Sequence, residues 1–194
     1  MLYTFLKIFG YVFSFIFFHL KVTGTSHIPK RGGFILAANH RSYLDGPLVA
    51  LKIHRKVQFI SKTILYRRAL PRFFLNNLWV IPVRQETPFG LKSVLRLLKK
   101  GMPLVIFPEG TRNTTKRFLL PGSPGISLLA AGTGVPVIPA FIKGAEKALP
   151  LRARMFRPVS IEIRYGKPIY FCGDYQSFAE MVMNAIGQLG VAEQ

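Results

Sequence analysis

The chain has 194 residues, enough for one α/β domain with a well-filled core and too few for two. Its 27 Lys and Arg against 8 Asp and Glu give a net charge of +19, which excludes an acidic surface and points to a polyanionic partner, an anionic bilayer or nucleic acid. A single cysteine, Cys172, excludes an internal disulfide, and neither a zinc-type cluster nor a Gly-rich nucleotide fingerprint is present, so metal-free, thiol-independent chemistry is expected.

In residues 1–20, Leu2, Phe5, Phe9, Val12, Phe13, Phe15, Ile16, Phe17, Phe18 and Leu20 surround the whole helix circumference, a membrane-seeking pattern. A span needs about 20 apolar residues. Both a span and a helix embedded in the interface are therefore open. The following His19-Leu20-Lys21-Val22 offers no small-residue cleavage pattern, which argues against a signal peptide. The expected division is a hydrophobic membrane-anchoring segment over 1–22 and a single domain over 23–194.

A short apolar run, Phe34 to Ala38, reads as a strand, and Asn39-His40-Arg41-Ser42-Tyr43-Leu44-Asp45 follows it. Five positions separate His40 from Asp45. On one helix the two side chains would point about 140° apart, and on one strand to opposite faces, so only a turn brings them together. With Ser42 as the N-cap of a helix, Asp45 can fold back onto His40, its carboxylate favoured by the helix N-terminus. The pair reads as a proton acceptor and the group that orients it.

Further on, Lys52, Arg55, Lys56, Lys62, Arg67, Arg68 and Arg72 precede Phe73, Phe74 and Trp79, a mixture of cations and interfacial aromatics that suits an anionic membrane surface. No recognised nucleic-acid motif accompanies the charge, so nucleic acid is not the expected partner. Strands near 57–61, 79–83, 104–107, 135–142 and 159–165 alternate with helices near 44–53, 88–100 and 125–132, with a C-terminal helix at 176–189. That alternation predicts an α/β fold: one domain with a mixed, largely parallel sheet flanked by helices, plus the N-terminal membrane-anchoring helix.

The run Leu104 to Phe107 is too short for a buried helix and is cut off by Pro108, so it reads as a strand ending in the loop Glu109-Gly110-Thr111-Arg112. Functional groups of open α/β sheets gather at the carboxyl ends of the strands, which would place Glu109 on the same edge as His40. Arg112 has the planar fork that binds phosphate bidentately, Gly110 lets backbone approach closely, and Thr111 adds a hydroxyl donor.

Together these segments resemble the PlsC-type glycerolipid acyltransferases. Asn39 to Asp45 is similar to the family's first motif, with its His-x4-Asp spacing, and Phe107-Pro108-Glu109-Gly110-Thr111-Arg112 to its third. Val135-Pro136-Val137-Ile138-Pro139-Ala140-Phe141-Ile142-Lys143-Gly144 looks like the fourth, associated with placing donor and acceptor. Leu78 to Gln85 resembles the second, where Arg84 is the implied phosphate-binding residue and Gln85 the alternative occupant of that position. Ser123 stands where the family loop often carries Lys.

The resemblance implies an enzyme of the 1-acylglycerol-3-phosphate O-acyltransferase type, in which His40 and Asp45 are catalytic and Glu109, Gly110, Thr111, Arg112 and Arg84 bind substrate. It would move a fatty acyl group from acyl-CoA or acyl-carrier protein to the free hydroxyl of the lysophospholipid, giving phosphatidate without a cofactor or metal. The expected location is the cytoplasmic face of the cell membrane. The alternatives are another lysolipid acceptor, such as a lyso-ornithine lipid or lysophospholipid, and a non-catalytic lipid-binding homologue.

Overall fold

The computed structural model describes residues 2–62, 80–83, 88–150 and 155–191. Its elements are α1 (Leu2–Phe18), β1 (Lys21–Thr23), β2 (Ile35–Ala38), α2 (Asp45–Ala50), β3 (Gln58–Lys62), β4 (Val80–Val83), α3 (Pro88–Lys99), β5 (Leu104–Ile106), α4 (Gly125–Thr133), β6 (Val137–Lys143), α5 (Ala145–Ala148), β7 (Glu162–Tyr165) and α6 (Tyr175–Val191). The strands form one sheet in the order β1-β7-β6-β2-β5-β3-β4. Every neighbouring pair is parallel except β6 with β7. The expected mixed, largely parallel sheet is present.

All four residues of β2 are buried, as a central parallel strand covered on both faces requires. Successive residues point to opposite faces. Leu36 and Ala38 join the core beneath α1 and α2 with Phe18, Leu20, Leu48 and Val49. Ile35 and Ala37 join the other core with Val94 and Leu98 of α3, Ile126 and Leu129 of α4, and Phe178 and Val182 of α6. The sheet is thus sandwiched between helices. Full burial of Phe34, Leu36 or Ile138 is worth about 1.5–3 kcal/mol apiece.

The apolar spacing read at Leu91, Val94, Leu95 and Leu98 matches α3, whose Lys92, Arg96 and Lys99 are exposed. The helix stops at Gly101, which takes a φ of 83° and donates its amide to Leu98 O at 2.9 Å.

Two expectations change, and two short elements are added. Ser42 is not the N-cap of α2: the helix begins at Asp45 behind Leu44, with no side-chain cap. Ser42 turns back instead, its Oγ accepting the Leu44 amide at 3.3 Å. Strand β1 and the four-residue α5 carry too little periodicity to be read from sequence. Finally, among the described residues no helix is long and apolar enough to cross a membrane. Helix α1 has 17 residues, and its Ser14 and Phe18 are buried against the domain, so the spanning alternative falls. Arg84, Gln85 and the stretch Arg67 to Trp79 lie outside the described residues.

Candidate active site

Strands β2 and β5 are parallel neighbours, with Ala37 beside Ile106, so the loops that leave their carboxyl ends emerge side by side. One carries His40 and Asp45, the other Phe107 to Arg112. Asn39 fixes where the first loop begins. Its Oδ1 accepts the Ile142 amide at 2.7 Å and its Nδ2 donates to Ile142 O at 2.9 Å, so the side chain continues the pairing of β2 with β6 beyond Ala38. The fourth sequence segment therefore seats the start of the loop that carries His40 and Asp45.

From there the chain turns so that His40 Nδ1 meets Asp45 Oδ2 at 2.9 Å. The same oxygen accepts the amides of Arg41 and Ser42, each at 2.6 Å. Asp45 is 1% exposed, and three N–H donors converging on one oxygen hold its carboxylate in place. A neutral imidazole that donates Nδ1–H to a carboxylate leaves its Nε2 lone pair available. The imidazole is partly exposed and lies flat against the Phe107 ring, with centroids 4.1 Å apart and planes 16° apart. Phe107 thus closes one face of the imidazole, a role that its apolar character in a strand-end run does not announce.

Glu109 ties the two loops together. Its Oε1 accepts the His40 amide at 2.8 Å and its Oε2 the Leu120 amide at 2.9 Å. The Asn113 amide returns a bond to His40 O at 2.6 Å. Burial raises the Glu109 carboxyl above the ordinary carboxylate value, outweighing the two amide bonds and the nearby His40 and Arg41, which pull the other way. Glu109 thus has a structural role in joining the two loops. Both oxygens face backbone donors, and among the described residues it makes no hydrogen bond to Arg112.

Gly110 occupies a turn closed by its amide on Phe107 O at 3.0 Å, with a φ of 66° that a side chain would strain. Thr111 beside it is exposed. Arg112 stacks its guanidinium over the Tyr43 ring at 3.7 Å, while its buried Nη1 has no hydrogen-bond partner. Tyr43 thus holds the cation without using up its donors. A contact between two loops leaves no mark in local spacing, so sequence reasoning missed Tyr43. The structure brings together His40, Asp45, Glu109, Gly110 and Arg112; Arg84 is the predicted site residue that lies outside the described set.

Between α1 and α2 runs an apolar groove of about 370 Å³, lined by Gly10, Phe13, Leu44, Leu48, Leu51 and Phe156. Leu44 immediately precedes Asp45, so the groove borders the loop that carries the His40–Asp45 pair.

The comparisons with known proteins meet this geometry. A chloroplastic 1-acyl-sn-glycerol-3-phosphate acyltransferase of Brassica napus is 29% identical over 170 residues, covering 84% of this chain and 49% of that protein. The chain thus spans about half the length of that relative. A 1-acyl-sn-glycerol-3-phosphate acyltransferase of Bacillus subtilis (strain 168) is 25% identical over 154 residues, covering 78% of this chain and 74% of that one. The crystal structure of the 1-acyl-sn-glycerophosphate acyltransferase PlsC from Thermotoga maritima superposes with a TM-score of 0.80 at 26% identity, covering 98% of this chain and 80% of that chain. Residues 19–143 match the family model described as Acyltransferase, a span that includes both loops of the site, and the chain belongs to the acyltransferase family.

Proposed function

We propose that the protein transfers a fatty acyl group from an acyl thioester to the free hydroxyl of 1-acylglycerol-3-phosphate, yielding phosphatidate. The observation that carries this reading is the His40–Asp45 pair on one strand-end loop and Arg112, stacked on Tyr43 of that loop, on the next, an arrangement that suits a base and a phosphate ligand at one sheet edge. His40 Nε2 takes the proton of the acceptor hydroxyl as its oxygen attacks the thioester carbonyl carbon. Asp45 stabilises the imidazolium that forms. The carbonyl bond re-forms as the C–S bond breaks, and the proton passes from His40 to the leaving thiolate. The chemistry uses no group beyond the two substrates.

The test is a screen of the purified protein against lysophosphatidate, lysophosphatidylglycerol, lyso-ornithine lipid and monoacylglycerol, with acyl-CoA and acyl-carrier protein as donors, read by lipid mass spectrometry. Phosphatidate as the main product is expected. Preferential acylation of a lysolipid without a phosphate monoester would replace the acceptor assignment.

The apolar groove beside Leu44 supports acyl-chain placement next to the catalytic loop. Helix α1, together with Phe156, supports attachment in the membrane interface. Val12, Phe15 and Ile16 leave 48%, 58% and 68% of their surfaces exposed, and Phe13 packs edge-to-ring on Phe156. An apolar face of this kind, on a chain of net charge +19, suits the surface of an anionic bilayer. In flotation with anionic vesicles, Phe15→Ser with Ile16→Ser is expected to lower the bound fraction at high salt, where electrostatic attraction is screened. An unchanged bound fraction would remove α1 from the membrane contact.

A further inference from the structure

Among the described residues, two buried side-chain nitrogens lack a hydrogen-bond partner, Arg41 Nε and Arg112 Nη1. Both belong to arginines of the two catalytic loops. A buried N–H without an acceptor is destabilising, and in native proteins it calls for a specific cause. Arg112 has one in the acceptor phosphate proposed above. Arg41 has none so far. Its two other nitrogens reach only backbone carbonyls at the outer limit of hydrogen bonding, Nη1 to Arg117 O at 3.5 Å and Nη2 to Thr115 O at 3.4 Å. Glu109, whose carboxyl feels the Arg41 charge, has both oxygens engaged by amides, and among the described residues Arg41 forms no ion pair.

We infer that Arg41 is a second guanidinium ligand for the acceptor phosphate and selects phosphate monoesters over phosphodiesters. The inference rests on the acceptor reading and deepens it. The Arg41 amide bonds the same Asp45 oxygen as the His40 imidazole, so its backbone is fixed directly beside the base. In 1-acylglycerol-3-phosphate the phosphate ester sits on the carbon next to the one bearing the free hydroxyl. A phosphate therefore lies within a few bonds of the atom that His40 deprotonates, whereas the phosphates of a thioester carrier are separated from its sulfur by the whole pantetheine arm.

The charge requirement points the same way. A phosphate monoester is largely dianionic near neutral pH, its second pKa being about 6. In a partly buried site such a dianion is better balanced by more than one cation, and among the described residues Arg41 joins Arg112 in the two loops. A phosphodiester carries one charge and needs one cation. Arg41 meets this requirement with little reorganisation, since its long carbonyl contacts are readily exchanged for shorter charge-assisted ones.

Steady-state kinetics of wild type, Arg41→Gln and Arg41→Lys with lysophosphatidate, lysophosphatidylglycerol and acyl-CoA test the inference, alongside calorimetric titration with glycerol 3-phosphate. Arg41→Gln is expected to raise the lysophosphatidate KM and the glycerol 3-phosphate Kd about ten- to hundredfold, to leave the acyl-CoA KM within about twofold, and to narrow the preference for the monoester. Arg41→Lys should restore part of the loss, keeping the charge without the fork.

Asn113→Ala supplies the control for a merely structural role, because the Asn113 side chain closes the turn whose carbonyls Arg41 touches, donating to Arg117 O and accepting from Thr115. Wild-type binding and kinetics in Arg41→Gln, a rise in the acyl-CoA KM instead, or an Asn113→Ala profile identical to Arg41→Gln would each overturn the inference while leaving the acceptor reading intact. A wild type that neither binds glycerol 3-phosphate nor acylates lysophosphatidate would overturn both.

Discussion

His40→Ala is expected to lower acyl transfer by about 10²–10⁴ fold without unfolding the protein. The main-chain contacts of His40, its amide on Glu109 and its carbonyl under the Asn113 amide, do not involve the imidazole and survive in alanine. What disappears is the ring between Asp45 and Phe107, and no other described side chain is bonded in its place. Loss of the stack with Phe107 should destabilise the fold by only about 0.5–1.5 kcal/mol. Asp45→Asn should be impaired to a smaller degree. Its carbonyl oxygen can still accept the Arg41 and Ser42 amides, while the negative charge behind the imidazole is gone. Single-turnover transfer measured on variants with wild-type circular dichroism checks both, and wild-type turnover by a folded His40→Ala protein would remove His40 as the base.

Arg112→Ala is expected to raise the acceptor KM by about ten- to hundredfold, with little change for the thioester, because a hydrogen bond to a charged group contributes about 1.5–3 kcal/mol. The guanidinium is held by the Tyr43 ring and keeps a buried nitrogen unpaired, so its donors are set for a ligand before one arrives. Arg112→Lys should recover only part of the affinity, since an ammonium keeps the charge and loses the planar two-pronged geometry. Comparing lysophosphatidate with its dephosphorylated monoacylglycerol isolates the phosphate. A selective rise in the thioester KM would place Arg112 in another part of the site.

Much of this arrangement was legible in the sequence because it rests on patterns local to the chain. The apolar runs of β2 and β5, each broken by polar residues, marked strand ends, and the alternation of strands and helices implied the parallel order that sets those ends side by side. The His40–Asp45 spacing demanded a turn, and a turn is there. Other features arise from contacts between distant segments. The two amides that Glu109 holds come from His40 and Leu120, a pairing that only the folded sheet creates. The stacking of Phe107 on His40 and of Arg112 on Tyr43 likewise depends on two loops meeting. Ser42 misled for a local reason, since a Ser before an apolar run suits an N-cap and also suits a turn that bonds itself.

Two carboxylates, Asp45 and Glu109, together hold four loop amides, those of His40, Arg41, Ser42 and Leu120, that no strand or helix partners. The shape of the loops is therefore a small cooperative unit with its own stability, distinct from that of the sheet beneath. Local opening of that unit would release all four amides to solvent exchange while the β2, β5 and β6 ladder stayed closed. In that state the core would be folded while the His40–Asp45 contact is unmade, and under the proposed reaction the fraction of time spent outside it would limit turnover.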